Sequence, residues 1–390
     1  MRFVLVGFVL SLIPVRMAEA QAQQTITDVL SFLMTNRSIP TDDFVRDEQA
    51  ALATSNMIAT LFVQDLASLP SSSGAGFTYR FDPALGTAIR TSESFGPIFT
   101  QRSLQAGQNQ ASFGVSYRST NYSNIDGRSL RDGTLLSTAS MLRGDTAPFD
   151  VETVSLRIRT DTMTFTGSYG ITDRLDISAG IPFIHLSLQG ERVDNYRGRQ
   201  LLQARGTASA SGFGDVIVRS RYNVVKEGAS GLAIGAEVRL PTGSEENLLG
   251  AGQLAFTPRV IGSAERDRVG VHGEFGFAFD QVANAPVYSV AVTVAPAARV
   301  TVIGELLGHR LEGLGHLVET VQPHPRLVGV DTIRLTSSGE TTDRLVLAGG
   351  VKWNVASTWL MTVSVLRSLT SVGLNADWVP TITFDGWFGR

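Results

Sequence analysis

Charged residues recur at every second position in several segments, which places them on one side of an extended strand. In residues 269–280, His272 and Glu274 alternate with Val271, Gly273 and Phe275. Such a pattern predicts a wall with water on one side and hydrocarbon on the other, in which the charged groups pair with one another or form a selective constriction. The candidate lumen-facing residues are Arg157, Arg159, Asp215, Arg219, Arg221, Glu237, Arg239, His272, Glu274 and Glu305.

Two histidine–carboxylate combinations could support acid–base or metal chemistry. His272 lies two residues before Glu274, and His309 follows Glu305 by four. Neither is part of a larger motif, because the sequence contains no H-E-x-x-H and no G-x-S-x-G pattern and its 5 His are scattered. With 0 Cys there is no thiolate nucleophile or ligand. We expect neither an enzyme nor a metal site, and no cofactor.

From residue 77 onward the hydrophobic pattern has a period of two, which is typical of strands. Many candidate strands have ten or more residues, whereas a soluble β-sandwich needs only about five or six per strand. A strand that crosses the outer membrane needs about 9–11, and a bilayer tolerates no unpaired sheet edge. The pattern therefore predicts an all-β fold, a transmembrane antiparallel up-and-down β-barrel.

The strand count is not fixed by the pattern. Residues 77–92, which Pro83 interrupts, form the weakest candidate. Because bacterial barrels normally have an even number of strands, 12 strands are favoured and 14 are the alternative. Short connections such as 172–174 contrast with the long polar stretches 126–149, 193–212 and 312–342, which are predicted to be loops. The thirteen candidates lie near 77–92, 110–124, 151–170, 174–192, 213–225, 230–241, 253–265, 268–280, 286–297, 299–311, 343–355, 358–370 and 376–388.

The N-terminal part differs from the rest of the chain. Arg2, an apolar run over residues 3–15 and the A-x-A-like site Ala18-Glu19-Ala20 predict a secretory signal peptide at 1–20. Residues 21–75 have helical spacing, with Asp42 as the expected N-cap, and are expected to form a plug or a periplasmic element. Residues 76–390 are expected to form the barrel.

Composition agrees with this class of protein. Charged residues make up 18% of the chain, below the roughly 25% of an average soluble domain. The formal net charge of -3 gives no reason to expect a nucleic-acid partner. Export and a lipid-facing wall predict the outer membrane of a Gram-negative cell, with outer-membrane lipid and the barrel-assembly machinery as partners.

Three stretches carry a resemblance to a known family. They are Tyr-Gly-Ile-Thr-Asp-Arg-Leu-Asp-Ile at 169–177 with Ile-Pro-Phe at 181–183, Ser-Gly-Phe-Gly-Asp-Val at 211–216, and Glu-Val-Arg-Leu-Pro-Thr-Gly at 237–243. Together they resemble the outer-membrane barrels named after the phenol meta-pathway, which are related to the long-chain fatty acid and toluene transporters. Those transporters carry an N-terminal helical plug inside a 14-stranded barrel, and residues 21–75 are similar in position.

The resemblance implies a channel or transporter that passes small hydrophobic molecules, aromatic or fatty-acid-like. Two alternatives remain open. One is a general porin, and the other is a structural or adhesion barrel that transports nothing and presents its loops at 126–149 and 312–342. The sequence leaves the cargo, the direction of transport and the oligomeric state undetermined.

Overall fold

A computed structural model describes most of the chain after the predicted signal peptide, which lies outside the described residues. It describes residues 24–35, 46–68, 79–82, 87–90, 92–104, 107–279, 284–311, 315–356 and 358–388. The helices are α1 (Ile26–Thr35) and α2 (Glu48–Ser68). The strands are β1 (Tyr79–Asp82), β2 (Thr87–Arg90), β3 (Ala111–Ile125), β4 (Arg128–Ser129), β5 (Leu135–Leu142), β6 (Asp150–Gly170), β7 (Leu175–Tyr196), β8 (Arg199–Phe213), β9 (Val216–Glu227), β10 (Ser230–Leu240), β11 (Ala255–Arg266), β12 (Val269–Ala278), β13 (Ala285–Ala297), β14 (Val300–Leu311), β15 (Leu317–Pro323), β16 (Val330–Ser337), β17 (Thr342–Ala356), β18 (Trp359–Ser368), β19 (Leu374–Ala376) and β20 (Val379–Phe388).

Twelve antiparallel strands close into a barrel, as the favoured count predicted. The wall closes where β20 pairs with β3, for example at Phe384 and Val115. Residues 77–92, the weakest candidate, contain only the small hairpin β1–β2, which forms a separate two-stranded sheet. The wall strands are β3, β6, β7, β9, β10, β11, β12, β13, β14, β17, β18 and β20.

The two ends of the barrel differ. At one end, here called the turn end, neighbouring strands are joined by short connections such as 171–174, 228–229 and 267–268. At the opposite loop end the connections are longer, as at 241–254 and between β14 and β17. In outer-membrane barrels the short turns face the periplasm and the long loops face the exterior.

The loop end carries an extension of the wall that the sequence did not predict. Strands β6 and β7 have 21 and 22 residues, and β8 returns alongside the distal half of β7. Strand β5 pairs with β6 and with β16, which also pairs with β15. Much of the stretches 126–149, 193–212 and 312–342 is therefore sheet rather than irregular loop.

The outer face of the barrel matches hydrocarbon, because large apolar side chains point outward and polar ones point inward. Val271 and Phe275 are 48% and 57% exposed, whereas His272 between them is 1% exposed. The same alternation places Val351 outside and Lys352 inside on β17. The predicted two-sided wall is therefore present along these strands.

Helices α1 and α2 pack inside the loop end, where they form the main apolar cluster with the extended wall. Gly190 and Gly206 let α1 approach closely, because a Cβ at Gly190 would lie 2.6 Å from Leu33 Cδ1. Thr25 and Asp28 cap α1 reciprocally: Thr25 N donates to the Asp28 carboxylate, and Asp28 N donates to the Thr25 hydroxyl. These bonds from Thr25 lower the pKa of Asp28.

Helix α2 is fixed at its N-terminus by a cap and a buried charge cluster. Ala50 N donates to Asp47 Oδ1 at 3.1 Å, so Asp47 is the N-cap of the described helix, whereas the predicted N-cap Asp42 lies outside the described residues. Arg46 contacts Glu152 at 3.0 Å, and it also pairs with Asp194. Among the described residues, no helix is long and apolar enough to cross a membrane.

Candidate functional site

The turn-end half of the lumen is filled by residues 92–104, here called the floor segment. It precedes β3 in the chain, and nearly all of its side chains are buried. Gly96 turns the segment with a φ of 67°, and the side chain of Arg102 passes 2.9 Å from where a Cβ at Gly96 would stand. Any other residue at this position would be strained and would collide with Arg102.

Main-chain groups of the floor segment are held by buried charges of the wall. The carboxylate of Glu305 accepts hydrogen bonds from the N–H groups of Ile98, Phe99 (3.1 Å) and Thr100 (2.7 Å). On β17, Lys352 Nζ donates to the carbonyl of Phe95 at 3.3 Å and to that of Pro97. One anion and one cation thus bind opposite polar groups of the same short turn.

Further bonds tie the other end of the floor segment to the opposite wall. Ser103 N donates to Ser263 Oγ at 2.9 Å, and Asn223 Nδ2 donates to the Ser103 carbonyl at 2.8 Å. Arg221 donates to the carbonyl of Arg102. The floor segment is therefore anchored across the full width of the lumen.

A cavity of about 430 Å³ lies between the helices and the floor segment. Its size is within the range of small-molecule sites. Thr27 and the Ala59–Asp65 stretch of α2 border it on one side, and Phe99 and Gln101 border it at the floor. The remaining lining comes from the wall strands, from β19 and from the loop 241–254. Apolar members include Val63, Leu248, Leu307, Val346, Leu366 and Leu374.

Alternating charges cross the cavity wall from β9 to β12 and form what we call the charge ladder, Arg219–Glu237–Arg259–Glu274. Arg219 Nε lies 2.7 Å from Glu237 Oε2, and Arg259 Nη2 lies 3.3 Å from the same oxygen. Arg259 Nη1 lies 3.4 Å from Glu274 Oε1. Gly276, directly opposite Arg259, leaves room for it, because a Cβ there would lie 2.9 Å from Arg259 Cγ.

The predicted lumen-facing residues fall into several groups. Arg219, Glu237, Arg239 and Glu274 line the cavity. Glu305 and Arg221 do not reach it and instead hold the floor segment.

Two other predicted residues are buried in structural contacts. Asp215 accepts hydrogen bonds from Gly243 N at 3.0 Å and Ala251 N at 2.8 Å, which fixes the loop 241–254 against the wall. His272 lies between Ser263 Oγ at 3.0 Å and Thr293 Oγ1 at 3.3 Å. Neither residue faces an open lumen.

The assignment of Arg157 and Arg159 to the lumen is wrong, because both point outward and are exposed. Leu156 and Ile158 take the inner face of this part of β6, where they pack with the helices in one apolar cluster. The pairing of β6 with β7 has no bulge, so each face of β6 is continuous along the strand. The outer face becomes charged in its distal half because the surroundings of the strand change there. A 21-residue strand is about 70 Å long, much more than the hydrocarbon layer requires even when tilted. The distal half of β6 therefore has water on its outer side and α1 on its inner side.

Sequence reasoning missed several residues of the site. Arg259, the centre of the charge ladder, follows Pro258 in a strand whose alternation is weak. Lys352 binds main-chain carbonyls of the floor segment, a contact that no local pattern in the sequence reveals. Asp65 of α2 pairs with Arg344 and accepts a hydrogen bond from the Tyr122 hydroxyl at 2.8 Å. Among the described residues, no group of three or more His, Asp and Glu is placed to hold a metal ion.

An antiparallel barrel with an apolar exterior and a polar, charged lumen defines an outer-membrane β-barrel, and the protein is located in that membrane. Residues 137–310 match the family described as "Putative MetA-pathway of phenol degradation". This stretch contains all three motifs, so the resemblance predicted from the sequence is confirmed. No curated protein matches the sequence.

Several solved structures are similar at low identity. The COG4313 outer membrane channel from Pseudomonas putida F1 is 9% identical, with a TM-score of 0.48 over 73% of this chain and 98% of that one. The toluene transporter TbuX from Ralstonia pickettii is 11% identical, with a TM-score of 0.31 over 82% and 97%. A FadL homologue from Pseudomonas aeruginosa is 8% identical, with a TM-score of 0.32 over 81% and 96%.

Proposed function

We propose that this protein is an outer-membrane channel that passes small, largely apolar molecules through the cavity. The observation that carries the proposal is the cavity itself, which is bordered by Val63 of α2, Phe99 of the floor segment and Leu366 of the wall. Apolar side chains inside a barrel are costly beside water, but they suit an apolar solute. The family description refers to phenol degradation, which fits an aromatic solute.

Closure of the lumen favours this function over a general porin. A general porin has an open aqueous pore, whereas here the floor segment fills the turn-end half and two helices fill the loop end. Passage therefore requires the floor segment to move. A structural or adhesion barrel needs no internal cavity. The proposal assigns the protein no catalytic role, and it places outer-membrane lipid around the exterior.

Uptake in a deletion strain tests the proposal. Initial rates are measured for a labelled alkylbenzene and a labelled disaccharide in wild-type, deleted and complemented cells. We expect deletion to lower uptake of the alkylbenzene, complementation to restore it, and uptake of the disaccharide to stay constant. An equal loss for both solutes would favour the general porin. Unchanged uptake of both would favour a barrel that transports nothing.

A further inference from the structure

The outer face of the wall changes its chemistry along one line that crosses β6, β7 and their neighbours β3 and β8. Four outward side chains lie next to one another across these strands, in the order Tyr117, Met163, Phe183 and Phe213. We call these residues the apolar row. All four are between 40% and 59% exposed, and the rings of the two phenylalanines lie 5.7 Å apart. The apolar row ends the hydrocarbon-facing surface of these strands on the loop-end side.

Beyond the apolar row, toward the loop end, the outward positions of β6 and β7 are polar. Three successive pairs of outward residues follow Met163 and Phe183, and each pair lies directly opposite across the two strands. Side chains paired in this way lie on the same face of the sheet and within reach of one another. Together they form what we call the polar patch, which consists of Asp161, His185, Arg159, Ser187, Arg157 and Gln189.

The two arginines of the polar patch differ in their partners. Arg159 is held by Asp161, with Nε 2.9 Å from Oδ2 and Nη2 donating to Oδ1 at 3.0 Å. The hydroxyl of Tyr117 in the apolar row donates to the same Oδ1 at 2.7 Å. Arg157 is exposed and has no hydrogen-bond or ion-pair partner among the described residues. Two arginines and one aspartate give the polar patch a net charge of +1 with His185 neutral.

An apolar row beside a cationic polar patch fits a lipid whose head group carries phosphate and sugar. Guanidinium groups match phosphate, because they donate two parallel hydrogen bonds, and hydroxyl and amide side chains both donate to and accept from sugar hydroxyls. The polar patch extends about 14 Å along β6, since Asp161 and Arg157 are four residues apart. A phosphorylated disaccharide has this length, whereas a glycerol phosphate head group is shorter. The next outward pair, Glu191 and Arg205, is neutral, with a distance of 2.8 Å.

We propose that the apolar row and the polar patch together bind a phosphorylated glycolipid of the outer leaflet. Its acyl chains pack on Phe183 and Phe213, below the hydrated head-group layer. Its phosphate pairs with Arg157 and with the outward edge of Arg159, while its sugar contacts Gln189. The site lies on the outside of the barrel at the loop end, which faces the exterior. It is separate from the cavity and does not depend on the proposed channel function.

Three lipids test this proposal: lipid A with both phosphates, the same lipid A after removal of both phosphates, and phosphatidylglycerol. Binding is measured by native mass spectrometry of the detergent-purified protein, as the fraction that carries lipid at each lipid concentration. We expect lipid A to bind about tenfold more tightly than its dephosphorylated form and more tightly than phosphatidylglycerol. Added salt should reduce the preference for the phosphorylated form, because the contacts with the arginines are exposed.

Two variants should change this preference in opposite directions. Arg157→Gln removes the arginine without a partner and should lower the ratio of the two lipid A affinities about fivefold. Asp161→Asn removes the acidic residue that holds Arg159 and should raise this ratio, which a merely disrupted surface would not do. Arg310→Gln is the matched control, because Arg310 is an exposed arginine at the loop end of β14, outside the polar patch, and pairs with Asp343 at 3.3 Å. Heat-dependent migration in gels shows that each variant is folded.

Each contrary outcome removes a different part of the inference. Equal binding of lipid A with and without phosphates by the wild-type protein would show that the arginines do not bind phosphate. Phosphatidylglycerol binding as tightly as lipid A would overturn the assignment to a glycolipid. If both patch variants keep the wild-type ratio, the lipid binds elsewhere on the barrel and the proposed site is wrong. Solute uptake is measured separately, so none of these results affects the proposed channel function.

Discussion

Replacement of Glu305 by glutamine tests whether the floor segment is the gate. The carboxylate accepts hydrogen bonds from three consecutive main-chain N–H groups, those of Ile98, Phe99 and Thr100, and it is only 2% exposed. Glutamine has nearly the same size but keeps one acceptor oxygen and turns an NH₂ group toward N–H donors. The variant therefore loses one or two charge-assisted bonds.

Each such bond contributes about 1.5–3 kcal/mol, so we expect the loss of one or two of them in Glu305→Gln to weaken docking of the floor segment by about 1.5–6 kcal/mol. That range corresponds to a rise of roughly 10- to 20,000-fold in the ratio of undocked to docked floor segment. Single-channel recordings in planar bilayers measure this ratio as the fraction of time spent open. The expected result is long open periods in the variant and rare, brief ones in the wild-type protein.

The matched control is Glu319→Gln. Glu319 is an exposed residue of the loop-end hairpin, where it pairs with Arg128 at 3.0 Å, far from the floor segment. Its replacement should leave the recordings unchanged. Heat-dependent migration in gels shows whether each barrel is folded. A folded Glu305→Gln barrel with the same open fraction as the wild type would refute the assignment of the floor segment as the gate.

Three further changes probe the same assembly. Because the sequence has 0 Cys, the pair Ser103→Cys and Ser263→Cys would supply its only thiols, and their oxidation should abolish conductance until a reductant is added. Gly190→Val should displace α1 at a cost of about 1–3 kcal/mol, seen as faster proteolysis of the helix, whereas Gly262→Val, which meets no atom within 4 Å, should have no such effect. Arg46→Gln removes one of the two arginines that neutralise the buried carboxylates Glu152 and Asp194 and should cost about 3–5 kcal/mol, measured as faster hydrogen exchange at the start of α2.

The lipid-spanning part of the wall could be predicted because its surroundings are simple. Outward residues such as Val271 and Phe275 contact hydrocarbon, and inward residues such as His272 contact polar partners. Alternation in the sequence therefore shows directly which residues point outward and which point inward. This relation gave thirteen candidate strands, among which the even count of bacterial barrels favoured twelve. It failed above the membrane, where water lies outside Arg157 and a helix lies inside Leu156, so the same alternation has the opposite meaning.

The grouping of the inward residues could not be predicted, because their partners are far away in the sequence. Glu305 and Lys352 bind main-chain groups of the floor segment. Main-chain groups do not depend on residue type, so the sequence does not show that they are binding partners. The importance of Arg259 depends on Gly276 opposite it, which only the register of β11 and β12 reveals.

The enclosed position of the floor segment has a consequence for biogenesis. The helices and the floor segment all precede β3, and the seam of the wall joins β3 to β20, which follows the other wall strands in the chain. If the seam closed first, two helices would have to be drawn through a finished ring only twelve strands wide. We therefore expect this wall to form as an open sheet that curls around contents already in place.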